Sequence, residues 1–414
     1  MVQSVLGSLT LGYRPLWNGA RQLAAIQLYV QDLPGSYVDA PHLLRTLQEM
    51  WSASSPPLLI SPQSRQLLLQ LLQQAPRGSP WIEVRGQWLG DSSLLEQVRQ
   101  AYRRGLRLVW RGELSDLPGG DIAACFDNSL LSLSPAEAVG ALQSSASTGQ
   151  RGVRASPILD GQMYENLPTV ALLSLCLDRH RAVAVAGWPS DDVLYSLRHQ
   201  QLQPSHATIF KLMKAIDAEQ SLDSFEHILS EDPLLAYRFM LYANSAALGA
   251  RNPINSLRRA LVMLGYGTLQ RWLGDQLPHA STDPNLSPIR QTMVLRAQLM
   301  ERLVEAGIEY ELRREVYLTG LLSQLDTLMD EPIATILRRL PLSERISDAI
   351  VLRSGPYAPA LQIACALETD DASVVRQLCE THEMDTESVN RALLRLLSEL
   401  HVERPRPGQP TGSR

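Results

Sequence analysis

A chain of 414 residues, 45% hydrophobic and 20% charged, has the composition of a soluble globular protein and is long enough for two domains that each bury their own core. Its net charge of −5 argues against broad, charge-driven binding to nucleic acid or to a membrane. Lysine occurs only at Lys211 and Lys214, so arginine carries nearly all the positive charge, through either arginine-specific recognition or codon usage.

The N-terminus has no basic region ahead of an apolar core, and Arg14 interrupts the first apolar run, unlike a signal peptide. Strand patterns follow at Leu9–Trp17, Ala24–Val30, Leu58–Ser61, Trp81–Val84, Leu106–Trp110, Ile122–Phe126, Val153–Ile158 and Ala182–Ala186. Amphipathic helices lie between most of them: His42–Ser52, Gln63–Gln74, Ser92–Arg104, Pro135–Ser145 and Leu167–Asp178. In the third, Asp91 or Ser92 caps the start, Leu95, Val98 and Tyr102 make the stripe, and Gly105 ends it. Such alternation predicts an α/β domain, closed as a barrel.

Leu167 to Leu177 is the most apolar segment, but Asp178-Arg179-His180-Arg181 cuts it off, too short to span a bilayer. Cys125, Cys176, Cys365 and Cys379 form no Cys-x-x-Cys pair and read as buried free thiols in a reducing cytoplasm. Gly187-Trp188-Pro189 marks a break, and from about Pro204 strand patterns give way to helices. The expected organisation is an α/β domain over residues 1–195, an all-helical domain over 200–401, and a disordered Pro- and Gly-rich tail over 402–414.

The most informative stretch lies in the helical half. Asp232 is a good N-cap, and Pro233 fits the first helical position. Leu235, Phe239 and Ala243 then make one stripe, widened by Leu234 and Tyr242. Asn244 and Ser245 stand in the last turn, where short polar side chains bond nearby backbone, and Gly249 supplies a stop. Ser256 caps a second helix that Gly265 ends, and Thr268 to Leu273 starts a third. The order Asp232-Pro233-x-Leu235-Ala236, Ala243-Asn244-Ser245, Ala260-x-x-x-Leu264-Gly265 resembles the HDOD family, the HD-related output domains of bacterial signalling proteins. Asp232, Pro233, Asn244, Ser245 and Gly265 are its signature positions and read as structural. The first half, from Tyr13-Arg14-Pro15-Leu16-Trp17 to about residue 190, resembles a degenerate EAL domain, the barrel of cyclic di-GMP phosphodiesterases.

These resemblances imply metal sites that the residues do not spell out. Gln27-Leu28-Tyr29 stands where the E-A-L glutamate would be, Glu83 is one surviving acid that by itself reads as half of a structural salt bridge, and Val109-Trp110-Arg111-Gly112 replaces an aspartate pair. Cleavage by a metal pair needs several converging oxygen ligands. In the helical half, Ser323 and Gln324 stand where a His–Asp dyad would lie, and Pro288-Ile289-Arg290-Gln291-Thr292 brings no histidine. The eight histidines show no zinc spacing, and His227, between Phe225 and Ile228, reads either as a ligand or as a partly buried, hydrogen-bonded side chain. There is no nucleophile elbow, P-loop or dinucleotide fingerprint.

The expectation is therefore a cytoplasmic signal-transduction protein that is not an enzyme, carries no cofactor or metal, and contacts other signalling proteins through the HDOD half. A second reading makes the barrel a cyclic-dinucleotide receptor, with Glu83, Arg85 and Arg111 as ligand contacts and Trp88 or Trp110 against a base. A third makes Arg258 and Arg259 a helix-turn-helix reading surface, although a connection of about ten residues is too long for that motif. Neither nucleic acid nor membrane is expected as a partner, and the sequence leaves the oligomeric state open.

Overall fold

The computed structural model describes residues 5–32, 38–146, 156–248, 253–304 and 309–402. Two compact units emerge: Met1–Asn166 with Ser174–Gly187 and Leu394–Arg414, and Leu167–Leu173 with Trp188–Leu393. The first is an eight-stranded barrel and the second is all-helical.

Strands β1 (Leu9–Trp17), β2 (Leu23–Asp32), β3 (Leu58–Pro62), β4 (Trp81–Arg85), β5 (Leu108–Glu113), β6 (Asn128–Ser132), β7 (Met163–Glu165) and β8 (Ala184–Ala186) close in chain order. The first is antiparallel to β2 and β8, and every other neighbouring pair is parallel. Helices α1 (Ala40–Met50), α2 (Arg65–Gln74), α3 (Ser92–Arg103), α4 (Gly120–Ala123) and α5 (Pro135–Ala146) make the crossovers. Asp39, Ser64 and Asp91 each accept a backbone N–H of the helix they open, which fixes where α1, α2 and α3 begin.

Alternate strand residues face the interior. One interior layer is apolar, with Leu16, Leu59, Val109, Leu130 and Met163 in a single cluster. One pleat farther along the same faces stand Arg14, Gln27, Glu83, Arg111 and Glu165. The apolar layer shuts one end of the barrel, and the polar layer lies toward the C-terminal ends of the parallel strands, where barrels of this kind build their sites.

Three expectations in this unit need correction. Ile122–Phe126 is not a strand: Gly120, at φ 59, opens the short helix α4, and the strand begins at Asn128. The seventh strand is Met163–Glu165; residues 156–158 are irregular, and 153–155 lie outside the described residues. On α3 the buried residues are Leu94, Val98 and Ala101, while Tyr102 is 45% exposed. Both stripes have helical spacing, and the small Ala101 is the one that is buried while Tyr102 keeps its hydroxyl in water.

The second unit contains α6 (Val170–Ser174), α7 (Ser190–Leu197), α8 (His206–Asp217), α9 (Leu222–Leu229), α10 (Pro233–Ala243), α11 (Leu257–Gln276), α12 (Leu286–Leu303), α13 (Tyr310–Leu322), α14 (Leu325–Met329), α15 (Ile333–Leu337), α16 (Glu344–Ser347), α17 (Ala358–Leu367), α18 (Ala372–Thr381) and most of α19 (Thr386–Glu399). The expected Leu167–Asp178 helix is shorter, because α6 gives way to a wider π-type turn over Leu175–Arg179. The tail beyond Val402 and the Gly249 stop lie outside the described residues. Three of the cysteines are buried, but Cys365 is only half-buried. No helix among the described residues is long and apolar enough to cross a membrane.

Helices α12 and α13 cross so closely that a Cβ at Gly320 would lie 2.6 Å from Ala297 Cα and 3.0 Å from Met300 Sδ. Backbone cannot yield there as a flexible side chain would, so Gly320→Ala should cost about 1–3 kcal/mol. Gly274 in α11 has nothing within 4 Å of that position, and Gly274→Ala should instead stabilise by up to about 1 kcal/mol. Thermal denaturation of the two variants should move in opposite directions; a shared sign would refute the close-crossing argument.

Candidate functional sites

Within the barrel, Arg111 organises the polar layer. Its Nε and one terminal nitrogen each donate to Glu165 at 2.9 Å, and the other terminal nitrogen donates to Glu83 Oε1 at 3.2 Å. Gln27 Nε2 donates to the second Glu83 oxygen at 2.7 Å, and Tyr29 donates its hydroxyl to Gln27 Oε1 at 3.0 Å. Arg14 reaches Glu165 and Asn166, both at 3.3 Å, with its guanidinium 5.6 Å from the Tyr29 ring centre. Burial pushes the Tyr29 hydroxyl far above its usual range, so it acts as a neutral donor. Burial also opposes the charge on Arg111, but Glu83 and Glu165 outweigh it and raise its pKa further.

Arg85 ends β4, donates to Gln63, lies 3.8 Å from Glu83 and stacks 5.2 Å from the Trp88 ring centre. Three arginines against two glutamates leave this layer one positive charge inside an acidic chain. Of the expected contacts, Glu83, Arg85 and Arg111 thus come together. Trp110 does not join them. It takes the opposite face of β5 and is buried against Gly86 and Gly112, where added Cβ atoms would fall 2.7 and 2.6 Å from its ring. Strand alternation therefore removes Trp110 as a base-stacking residue and leaves Trp88.

In the helical unit Asp232 is fully buried. One oxygen accepts the N–H groups of Leu234 and Leu235 at 2.9 and 3.0 Å, as a cap should. The other accepts Ser205 N at 2.6 Å and faces the Arg290 guanidinium at 3.6 Å. Arg290 in turn donates to Gln203 O at 2.6 Å, so one carboxylate ties the starts of α8 and α10 to α12. Pro233 fills the first turn of α10, a helix buried nearly all round, not along one stripe.

Asn244 is the C-cap of α10 and stands just beyond its last turn. Its amide donates to Met240 O at 2.9 Å and to Ile254 O at 2.8 Å, and its carbonyl oxygen accepts Ile254 N at 2.8 Å. The side chain thus imitates a strand partner and holds a segment ten residues away. Ser245 is placed differently from expectation, with its hydroxyl buried and without a hydrogen-bond partner among the described residues. Gly265, at φ 68 and ψ 166, is non-helical and breaks α11 into two helical stretches, the first ending there as expected and the second running on to Gln276.

Ser323 caps the end of α13 and Gln324 the start of α14. Arg296, nearly buried, donates to Glu368 at 2.8 Å and reaches Ser323 Oγ at 3.5 Å, so a guanidinium–carboxylate pair lies beside the position expected of a His–Asp dyad. His227 is exposed, its ring 3.7 Å from Glu231, which corrects the reading of a partly buried histidine. Arg258 is engaged by Asp223 and Glu226 on α9 instead of standing open on a reading face. Among the described residues no three His, Cys, Asp or Glu side chains converge as metal ligands. Sequence reasoning missed Glu165, Arg290, Arg296 and Glu368, each of which gains its role from a partner more than fifty positions away.

The HDOD domain model matches residues 202–329. The chain carries an HDOD domain. A Vibrio cholerae protein named cyclic di-GMP phosphodiesterase CdgJ is 24% identical over 200 residues, covering 48% of this chain and 46% of that protein. The uncharacterised Bacillus subtilis protein YuxH is 22% identical over 200 residues, covering 46% and 47%. The chain thus spans about half the length of these relatives. A crystal structure of the MmoQ response regulator from Methylococcus capsulatus aligns with TM-score 0.37 and 17% identity over 47% of this chain and 98% of its own, a likeness too slight to carry an argument. The name of the Vibrio relative overturns the expectation that the chain is not an enzyme. The HDOD domain supports a signalling role.

The three hydrogen bonds of Asn244 set a stability expectation. Asn244→Ala leaves the backbone of Ile254 without its partner and should cost about 1–3 kcal/mol, read as a lowered melting temperature. An unchanged melting temperature would show that this clamp is not needed.

Proposed function

We propose that this chain is a bacterial signal-transduction protein whose HDOD domain is the output module, acting through contacts with other signalling proteins, joined to an EAL-like barrel. The single observation behind the signalling assignment is the HDOD match over residues 202–329. A surface suited to such contacts lies at the α11 kink. Val262 and Met263 are 63% and 62% exposed and Tyr266 is 50% exposed, while Leu257, Leu261 and Leu269 of the same helix are buried. Grouped exposed apolar side chains commonly mark interaction sites on soluble proteins. Because these residues are exposed, Val262→Asp with Met263→Asp should leave melting unchanged. A tagged double variant expressed in the native cell should lose the proteins that co-purify with wild type, and an unchanged set would count against this surface.

A second reading, favoured by the surplus positive charge and by Arg85 stacked on Trp88, makes the barrel interior a cyclic-dinucleotide site. The name of the Vibrio relative supports the choice of ligand. Calorimetric titration with cyclic di-GMP should show saturable binding. Removing one charged contact of about 1.5–3 kcal/mol makes Arg85→Ala roughly 10- to 100-fold weaker. No heat with wild type would end this reading, and linear dinucleotide in the same samples would measure turnover directly.

A further inference from the structure

Glu83 is fully buried in the barrel and Glu165 is 5% exposed. Burying two carboxylates so far from water is costly unless a cation or hydrogen-bond donors stand with them. In a barrel with oxygen-bearing side chains at the strand ends, that cation is commonly a metal ion, since hard divalent cations take carboxylate and amide oxygens. Here every carboxylate oxygen already faces an N–H donor. Arg111 covers both oxygens of Glu165 and one of Glu83, and Gln27 Nε2 covers the other. The free end of Gln27, its carbonyl oxygen, is taken by the Tyr29 hydroxyl. An entering divalent cation would have to compete with a donor already bonded to each of these oxygens and would meet the charges of Arg14, Arg85 and Arg111 together.

We infer that Arg111 is the resident cation of this barrel, filling the position between Glu83 and Glu165 and keeping the interior closed to divalent metal for as long as the arginine is there. The planar guanidinium is well shaped for that position, because its fork matches one carboxylate in bidentate fashion and still has a nitrogen for a second. A lysine ammonium, a point charge on a flexible stem, could not bridge both with the same geometry. Replacing Arg111 by glutamine removes one positive charge, frees one oxygen of Glu165 and one of Glu83, and leaves the other Glu165 oxygen to Arg14 alone. It also adds an amide oxygen, which yields a donor set suited to Mg²⁺, Mn²⁺ or Ca²⁺. For the dinucleotide reading, on which only this consequence rests, the ligand phosphates would lie against Arg14 and Arg85 directly, and binding would be equal in EDTA and in Mg²⁺.

The experiment is a titration of the full chain with MnCl₂ at constant ionic strength, followed by calorimetry and by thermal unfolding, for wild type, Glu165→Gln, Arg111→Gln, and Arg111→Gln with Glu165→Gln. Wild type should show no Mn²⁺ binding that depends on Glu165. Arg111→Gln should melt lower, bind Mn²⁺ with a stoichiometry near one, and recover melting temperature as it binds. The double variant should lose both responses. Mn²⁺ bound by wild type and lost in Glu165→Gln alone would overturn the inference, as would a folded Arg111→Gln that takes up none. If Arg111→Gln is insoluble, its recovery as folded protein with Mn²⁺ but not with matched NaCl supports the inference, and insolubility at every Mn²⁺ concentration overturns it. Each of these metal outcomes is independent of whether cyclic di-GMP binds at all.

Discussion

Arg111 lies inside the barrel with only 14% of its side chain exposed, held by Glu83 from β4 and Glu165 from β7. Its position constrains much of the surrounding layer. A guanidinium taken out of water must have its N–H groups met, and removing one partner of such a pair costs about 3–5 kcal/mol because the other charge is left unpaired. The strands must therefore present these side chains one pleat above the apolar plug of Leu59, Val109 and Leu130, at a register no slip can satisfy. The three-residue β7 shows how strict this is. It is too short to announce itself by alternation, yet Met163 joins the apolar layer and Glu165 the polar one.

The helical unit solves the same problem with other pairs. Asp232 is drawn inward by two backbone N–H groups of its own helix and by Ser205, and Arg290 balances its charge. Arg296 with Glu368 forms another nearly buried pair between α12 and the end of α17. Both half-chains thus place an arginine–carboxylate pair close to where metal ligands are implied by resemblance. An arginine-rich chain is well supplied for this, because the guanidinium is planar and less strongly hydrated than an ammonium.

For function the two units offer different kinds of surface. The barrel interior is concave, charged and slightly positive, which fits an anionic ligand. The outer side of α11 is apolar and exposed around a kink, which fits a protein partner. The HDOD match gives the helical unit its signalling context. The relative named a cyclic di-GMP phosphodiesterase shares 24% of residues over 200 positions, and activity belongs to a site as a whole and not to single motif positions.

Local chemistry decided a good part of this protein. Caps such as Asp91 and Asp232, the proline at the first turn of α10, and apolar spacing placed most crossover helices of the barrel, α10, α11 and six of the eight strands, because these signals act over a few residues. The two missed strands failed for the same reason: β6 lies just after a glycine-started helix, and β7 is shorter than one full alternation. What only the tertiary structure decided is who meets whom. Sequence marked Glu83 and Arg111 as charged residues near strand ends. It could not say that Glu165 would complete them, that Trp110 would turn to the other face, or that Asn244 would clasp Ile254. These outcomes depend on closure of the barrel and on helix crossings such as Gly320 over Ala297. Residues far apart in the chain come within hydrogen-bonding distance only after the packing of apolar layers has fixed the register, and no local pattern encodes that register.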